Sequence, residues 1–351
     1  MARIVVGLSG GVDSAVAAYL LKKEGHQVIG ATLRTWEAGS GAYSRCCDIS
    51  DARRTAMQLG IPYYNINSLP EFCEHVTEPF MKAYIDGLTP NPCVACNRYV
   101  KWERMLSFAD EVNADLIATG HYARVVKTDE GRYTVRQASE TAKDQTYMLY
   151  MLTQDQLKRT LMPLAELSKE EVRLIAAEAG LDVAGKRDSQ EICFVLDGGY
   201  AEYISSHYDG KLPPPGDFLD TEGNIVGRHR GIINYTIGQR RGLGLSASEP
   251  LYVVSIHPED NTVVVGHDCD LFSRNVQVRD FNWISGKTPE KEIRCKAKIR
   301  YRSREQEAVA YPKEDGTVEI VFDQGQRAVT PGQAAVLYDG DVVLGGGVIY
   351  A

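Results

Sequence analysis

Gly7-Leu8-Ser9-Gly10-Gly11-Val12-Asp13-Ser14 constrains the fold of this chain more than any other stretch. The Ile4-Val5-Val6 run before it is short and β-branched, which predicts a buried first strand. After it Val16, Ala17, Leu20 and Leu21 recur at helical spacing, and Gly25 offers a left-handed stop. Strand, glycine turn and helix start, in that order, make an anion site. Glycines let the backbone approach a ligand, and the first helical N–H groups carry partial positive charge. Phosphate is the expected occupant. The plainer alternative is a strand–helix turn with Asp13 or Ser14 as its cap. A Walker-type loop would close on Gly-Lys-Ser/Thr; this one has no lysine, which disfavours γ-phosphoryl transfer.

Strand-like runs at 26–32, 62–67 and 115–119 alternate with helical ones at 48–59, 70–86 and 98–112. That alternation predicts an α/β fold, a doubly wound parallel sheet with its ligands at the carboxyl ends of the strands. Leu33 and Gly120-His121 fall at such ends, and Leu33 is placed to pack on an adenine. Residues 122–137 read as an inserted β-hairpin, and Lys143-Asp144-Gln145 as the opening of a helical run. Ser168 with Glu171 forms a capping box. Past Leu196 the composition shifts to short β runs and glycine turns. The expected division is a catalytic α/β domain at 1–196, a small β-rich domain at 197–271 and a C-terminal β-barrel at 272–351.

With 351 residues, 44% hydrophobic, the chain can bury a core of that extent. No apolar run approaches membrane length and no signal-like segment precedes the first strand, so no membrane association is expected. Eight scattered cysteines in a chain of this size predict reduced thiols and a cytoplasmic location. The net charge of −8 argues against a general polyanion-binding surface but leaves room for local basic clusters.

Pro90-Asn91-Pro92-Cys93-Val94-Ala95-Cys96-Asn97 reads as a proline-rich, non-helical loop between helices. Its Cys-x-x-Cys is open to zinc, disulfide exchange, iron–sulfur or a catalytic thiol; no second Cys/His pair follows at zinc spacing. Cys193, in the polar Asp188-Ser189-Gln190-Glu191-Ile192-Cys193-Phe194 stretch, is either near a site or a packing residue. Cys73, Cys269 and Cys295 are expected to pack. Lys296, Lys298, Arg300, Arg302 and Arg304 alternate with Ala297, Ile299 and Tyr301. On a strand this places the cations on one face, expected to meet RNA phosphates, with Arg300 and Tyr301 at the contact. Arg228, Arg230, Arg240 and Arg241 form a looser cluster.

Ser-Gly-Gly-Val-Asp-Ser, Cys46-Cys47, Thr-Pro-Asn-Pro-x-x-x-Cys-Asn, Ala-Thr-Gly-His-Tyr-Ala, Lys-Asp-Gln, Asp-Ser-Gln-Glu-Ile-Cys-Phe and Tyr-Thr-Ile-Gly-Gln-Arg-Arg-Gly-Leu-Gly occur in that order. Over essentially its full length the chain resembles the bacterial tRNA-specific 2-thiouridylases, of the ATP-pyrophosphatase group. The resemblance implies ATP and Mg²⁺ as cofactors, adenylation of the 2-oxygen of the wobble uridine, and its replacement by sulfur with release of AMP and pyrophosphate. It implies ATP contacts at Gly7, Leu8, Ser9, Gly10, Gly11, Val12, Asp13, Ser14, Leu33 and Gly120, with Asp13 on Mg²⁺. Cys96 would be the nucleophile and Cys193 the persulfide carrier. Asn91, Pro92 and Cys93 would meet the target base, and His121, Lys143, Asp144, Gln145 and Gln333 the tRNA. Partners implied are the tRNAs for lysine, glutamate and glutamine, and a sulfur donor: a cysteine desulfurase, a relay protein or free sulfide.

Cys93 departs from the family pattern, which commonly has aspartate there. The change yields three cysteines, Cys93, Cys96 and Cys193, that suit a 4Fe-4S cluster with one open iron. Cluster and persulfide remain two open routes for the sulfur. Two other functions compete: an amide-forming synthetase with the same first loop, and a non-catalytic nucleotide-binding regulator whose cysteines only pack.

Overall fold

Alternation along the first strand decides how the N-terminal half is layered. The computed structural model describes residues 1–36, 49–186, 192–195 and 199–351. In β1 (Arg3–Gly7), Ile4 and Val6 join one apolar cluster and Val5 another, and all three are fully buried. A strand covered on both faces requires this. α1 (Val12–Lys23), β2 (Gln27–Arg34), α2 (Ile49–Leu59) and β3 (Tyr63–Asn67) follow. Next come α3 (Leu69–Phe72) and α4 (Glu78–Ile85), joined by a π-helical turn at Cys73–Thr77. α5 (Pro92–Ala95) runs through a second π-helical segment, Cys96–Trp102, into α6 (Glu103–Glu111).

β4 (Leu116–Ala118) precedes a hairpin of β5 (Ala123–Lys127) and β6 (Tyr133–Gln137). The expected helix at Lys143 is replaced by short 3₁₀ turns, Thr141–Lys143 and Thr146–Met148. The Asp144 carboxylate explains the break: it accepts from Thr146 Oγ1 at 2.6 Å, a local bond that competes with helix. α7 (Gln154–Lys158), β7 (Thr160–Leu161) and α8 (Lys169–Glu178) complete this half. Its sheet is five-stranded and parallel, in the order β3-β2-β1-β4-β7. α1, α2 and α8 cover one face and α6 the other.

After α9 (Gly199–His207) comes a four-stranded sheet of β8 (Gly216–Leu219), β9 (Ile225–His229), β10 (Tyr252–His257) and β11 (Thr262–Gly266). β12 (Phe272–Trp283), β13 (Ile293–Lys298), β14 (Gln306–Pro312), β15 (Val318–Arg327), β16 (Ala334–Asp339) and β17 (Val342–Ile349) then form an antiparallel barrel, closed by β12 against β17. The hairpin at 123–137 is not an isolated insertion. β6 pairs with β17 at Arg136 and Val342, and Asp341 binds Arg124 at 2.9 Å and Arg136 at 2.8 Å. Among the described residues no helix is long and apolar enough to cross a membrane.

Candidate active site

β1 ends at Gly7, and the chain turns through Gly10, whose φ of 76° is the left-handed value that glycine tolerates best. Gly11 is the N-cap of α1, with no side-chain cap among the described residues. Ser14 organises the turn: its Oγ accepts from Ser9 N–H at 3.1 Å, meets Ser9 Oγ at 3.2 Å and donates to Gly11 O at 3.1 Å. On the β2 side, Thr32 Oγ1 donates to Leu8 O at 2.6 Å. Asp13 in the first helical turn receives Tyr122 Oη at 2.8 Å and both of its oxygens receive Lys169 Nζ. Tyr122 lies in the Ala-Thr-Gly-His-Tyr-Ala motif without a role assigned to it there, and Lys169 does not stand out, hidden just inside the capping box of α8.

Gly120, after β4, lies directly on the turn: a Cβ there would sit 2.7 Å from Asp13 C and Ser14 N. Leu33, nearly buried at the end of β2, is on the same edge of the sheet. His121 Nδ1 is 2.9 Å from Thr119 Oγ1, and its ring meets that of Trp102 at 5.5 Å. Trp102 ends the π-helical segment that Cys96 begins. The glycine turn, Gly120-His121 and the cysteine-bearing helix are therefore consecutive neighbours.

Pro92–Asn97, the larger part of the expected loop, is helical. Pro92 occupies the first helical position, where its missing N–H is not needed, and Asn91 is the N-cap. On this helix Cys93 is exposed and Cys96 is buried. Cys96 and Cys193 share one apolar cluster with Phe72, Phe80, Phe194 and Tyr203. Phe194 anchors Cys193 there, its ring meeting Phe72, Phe80 and Tyr203 at 5.6, 5.1 and 5.1 Å. Burial pushes the Tyr203 phenol up to about 12, with Cys193 adding to the effect.

The three cysteines expected to share an iron–sulfur cluster are not gathered among the described residues. Among the described residues no group of three His, Cys, Asp or Glu side chains is gathered to hold a metal, and Cys93 points to the surface rather than into the cluster of Cys96 and Cys193. Cys46, Cys47 and residues 187–191 lie outside the described residues. No disulfide forms among the described cysteines. Cys295 is buried as expected; Cys73 and Cys269 are exposed and do not pack.

The alternating basic stretch is not one strand face. β13 stops at Lys298 and residues 300–303 turn, Ser303 N–H donating to Arg300 O. Arg300 points inward, its Nη2 donating to Ala328 O at 2.7 Å, Thr330 Oγ1 at 2.6 Å and Ile237 O at 3.3 Å. Lys296, Arg302 and Arg304 are exposed, as are Arg228, Arg230, Arg240 and Arg241. Lys298 lies 5.8 and 5.7 Å from the rings of Tyr147 and Tyr301. Burial raises the Tyr301 phenol and Asp144 raises it further, against Lys143 and Arg302, which lower it. Arg300→Ala is therefore expected to loosen the barrel against Ile237 and lower the melting temperature. Arg302→Ala with Arg304→Ala should leave melting unchanged and flatten the salt dependence of tRNA binding by about one unit of slope per lost contact.

Asp144 is buried and Gln145 is engaged with Tyr122, accepting its N–H at 2.9 Å; Lys143 is half-exposed. Gln333 closes on the catalytic half: its Nε2 donates to Thr89 O at 2.8 Å, and Thr89 N–H donates to Pro331 O at 2.9 Å. Between them Gly332, with φ of 92°, leaves no space for a Cβ, which would fall 2.8 Å from Thr89 N. The barrel thus holds the chain immediately before the Asn91 cap.

Family models match the chain as a tRNA methyl transferase HUP domain over residues 2–197, a tRNA methyl transferase PRC-barrel domain over 202–267 and an aminomethyltransferase β-barrel domain over 273–349. Relatives include the tRNA-specific 2-thiouridylase MnmA of Acetivibrio thermocellus, 50% identical over 99% of both chains. That of Lachnoclostridium phytofermentans is likewise 50% identical over 99% of both. A solved U34-tRNA thiolase NcsA from Methanococcus maripaludis, with its 4Fe-4S cluster, aligns over 59% of this chain and 64% of its own at 19% identity and TM-score 0.38. That likeness is too slight to bear on fold or cofactor. The two sets of names differ on the group transferred, and it is the thiouridylases that are 50% identical over 99% of the chain.

Proposed function

Because this chain belongs to the tRNA-specific 2-thiouridylase family, we propose a reaction course for it in which the phosphate turn activates the wobble uridine and the two clustered cysteines deliver sulfur. The chain is an ATP-dependent tRNA sulfurtransferase; the amide-forming and regulatory alternatives find no support. What supports the course is the contiguity of the phosphate turn, Gly120-His121 and the helix that carries Cys96.

A uridine 2-oxygen is a poor leaving group. ATP held by Ser9–Ser14, with Leu33 on the adenine and Gly120 alongside, is attacked at its α-phosphorus by that oxygen, and pyrophosphate departs. Asp13, in the first helical turn and 32% exposed, would hold Mg²⁺, which takes one or two carboxylates together with phosphates and would neutralise phosphate charge there. Asn91 and Pro92 border the base, and His121, Lys143, Tyr301, Arg302 and Gln333 lie toward the tRNA. The persulfide sulfur on Cys193 attacks C2, AMP leaves, and the Cys96 thiolate then takes the Cys193 sulfur, freeing the thiocarbonyl and forming a disulfide that a thiol must reopen. The apolar wall of Phe72, Phe80 and Phe194 keeps water from the persulfide. The sulfur donor is a cysteine desulfurase, relay protein or free sulfide, the substrates are tRNAs for lysine, glutamate and glutamine, the location is cytoplasmic, and the units divide near 196 and 271.

Product analysis tests the course. With tRNA present, ATP should yield AMP and pyrophosphate in step with 2-thiouridine. ADP and orthophosphate as main products would overturn it.

A further inference from the structure

The phosphate turn has no lysine of its own, yet a lysine reaches it from another part of the chain. Lys169 opens α8, behind the Ser168–Glu171 capping box. Its side chain, only 10% exposed, runs back to the first turn of α1. Nζ donates to Asp13 Oδ1 at 2.7 Å and Oδ2 at 2.8 Å, with the Tyr122 ring centroid 6.0 Å away. The Lys169 N–H is fixed by Glu140 Oε2 at 2.7 Å, and Val172 and Ala176 of the same helix pack in the cluster that holds α1. A buried ammonium is costly without a partner. Packing α8 on α1 would be served by apolar contacts alone. Placing this charge at the N-terminal end of α1, beside the glycine turn, is what calls for a reason.

We propose that Lys169 supplies the phosphate-binding cation that the turn omits. In the empty enzyme its ammonium rests on Asp13; with ATP bound it contacts the β-phosphate oxygens. This rests on the ATP-pyrophosphatase reading above. As the uridine 2-oxygen bonds to the α-phosphorus, the α–β bridging bond breaks and its electron pair leaves with pyrophosphate, while the N3 proton of the uridine passes to water. Lys169 neutralises the charge that gathers on the leaving group. A compact ammonium on a flexible stem can exchange one anionic partner for another in this way, and its pairing with Asp13 keeps the carboxylate from repelling the incoming nucleotide.

Equilibrium dialysis of the full-length chain with ATP, inorganic pyrophosphate and AMP, in EDTA and without tRNA, tests the proposal. Lys169→Met is expected to weaken ATP and pyrophosphate binding by about 30-fold and AMP binding by less than about threefold, as loss of a charge-assisted phosphate contact implies. Lys169→Arg should recover much of the difference. The pair Asp13→Asn with Lys169→Met separates phosphate contact from simple neutralisation of Asp13. It also buries no unpaired charge, so it carries the test if Lys169→Met alone fails to fold. Weak ATP binding by this double variant supports the proposal; parent-like binding overturns it, as does an equal loss of AMP and ATP in Lys169→Met. Failure of the parent chain itself to bind ATP would instead overturn the ATP-pyrophosphatase reading.

Discussion

Serine at Cys193 or at Cys96 is expected to cut 2-thiouridine formation by roughly a thousandfold or more while tRNA-dependent pyrophosphate release continues. In the proposed course neither thiol takes part until the uridine 2-oxygen has been adenylated, so the two half-reactions should come apart. Serine is close in volume to cysteine, so the cluster of Phe72, Phe80, Phe194 and Tyr203 that holds both residues should keep its packing. Nucleoside mass analysis of the tRNA, run beside a pyrophosphate assay, reads both outcomes. Cys93→Ala should thiolate at close to the parent rate with iron-free protein, since that side chain is exposed and outside the thiol cluster. Loss of thiolation together with bound iron in the parent chain would restore the cluster.

Gly120→Ala should abolish ATP binding and destabilise the chain by about 1–3 kcal/mol, the usual range for forcing a methyl into filled space. The new Cβ would lie 2.7 Å from Asp13 C and Ser14 N and 3.0 Å from Asp13 O. All are backbone atoms at the start of α1 and none can rotate aside, so the helix end must shift, and with it the N–H groups proposed to bind phosphate. ATP titration and thermal melting check the two effects. A variant that binds ATP as the parent does would show that the turn tolerates displacement. The same substitution at Gly11 is much milder on the protein side, because its Cβ would meet only Ser9 Oγ, at an ordinary 3.4 Å.

The parallel sheet and the glycine turn between its first strand and helix were legible because short β-branched runs and helical spacing are local signals. Ile4, Val5 and Val6 announce a strand buried on both faces without reference to anything distant. The two-residue β7 was not legible; its pairing to Ile117 and Ala118 comes from the sheet and not from its own Thr160-Leu161. The Pro92 helix was misread because proline breaks a helix interior but suits a first turn, and the register of the helix decides which applies. The basic stretch at 296–304 misled because alternation has meaning only while the strand lasts. Arg300, one residue beyond Ile299, is turned inward onto carbonyls from 237 and 328. Lys169 and Tyr122 could not be read because their partner, Asp13, is 156 and 109 residues away. Likewise nothing in Gln333 predicts that it closes on Thr89.

The pairing of β6 with β17 also has a meaning in the order of synthesis. Arg136 and its partner Asp341 are 205 residues apart, a delay of about 10–40 s at usual ribosomal rates. During that time Val135, Tyr147 and Tyr150 belong to an apolar cluster whose C-terminal members, among them Ala334, Val336, Tyr338 and Val343, do not yet exist. The nascent catalytic half therefore waits with an unfinished core and an open hairpin edge. A message cut short before the last strands would yield no free-standing adenylating enzyme, and ATP could not be consumed by a chain still unable to engage its RNA.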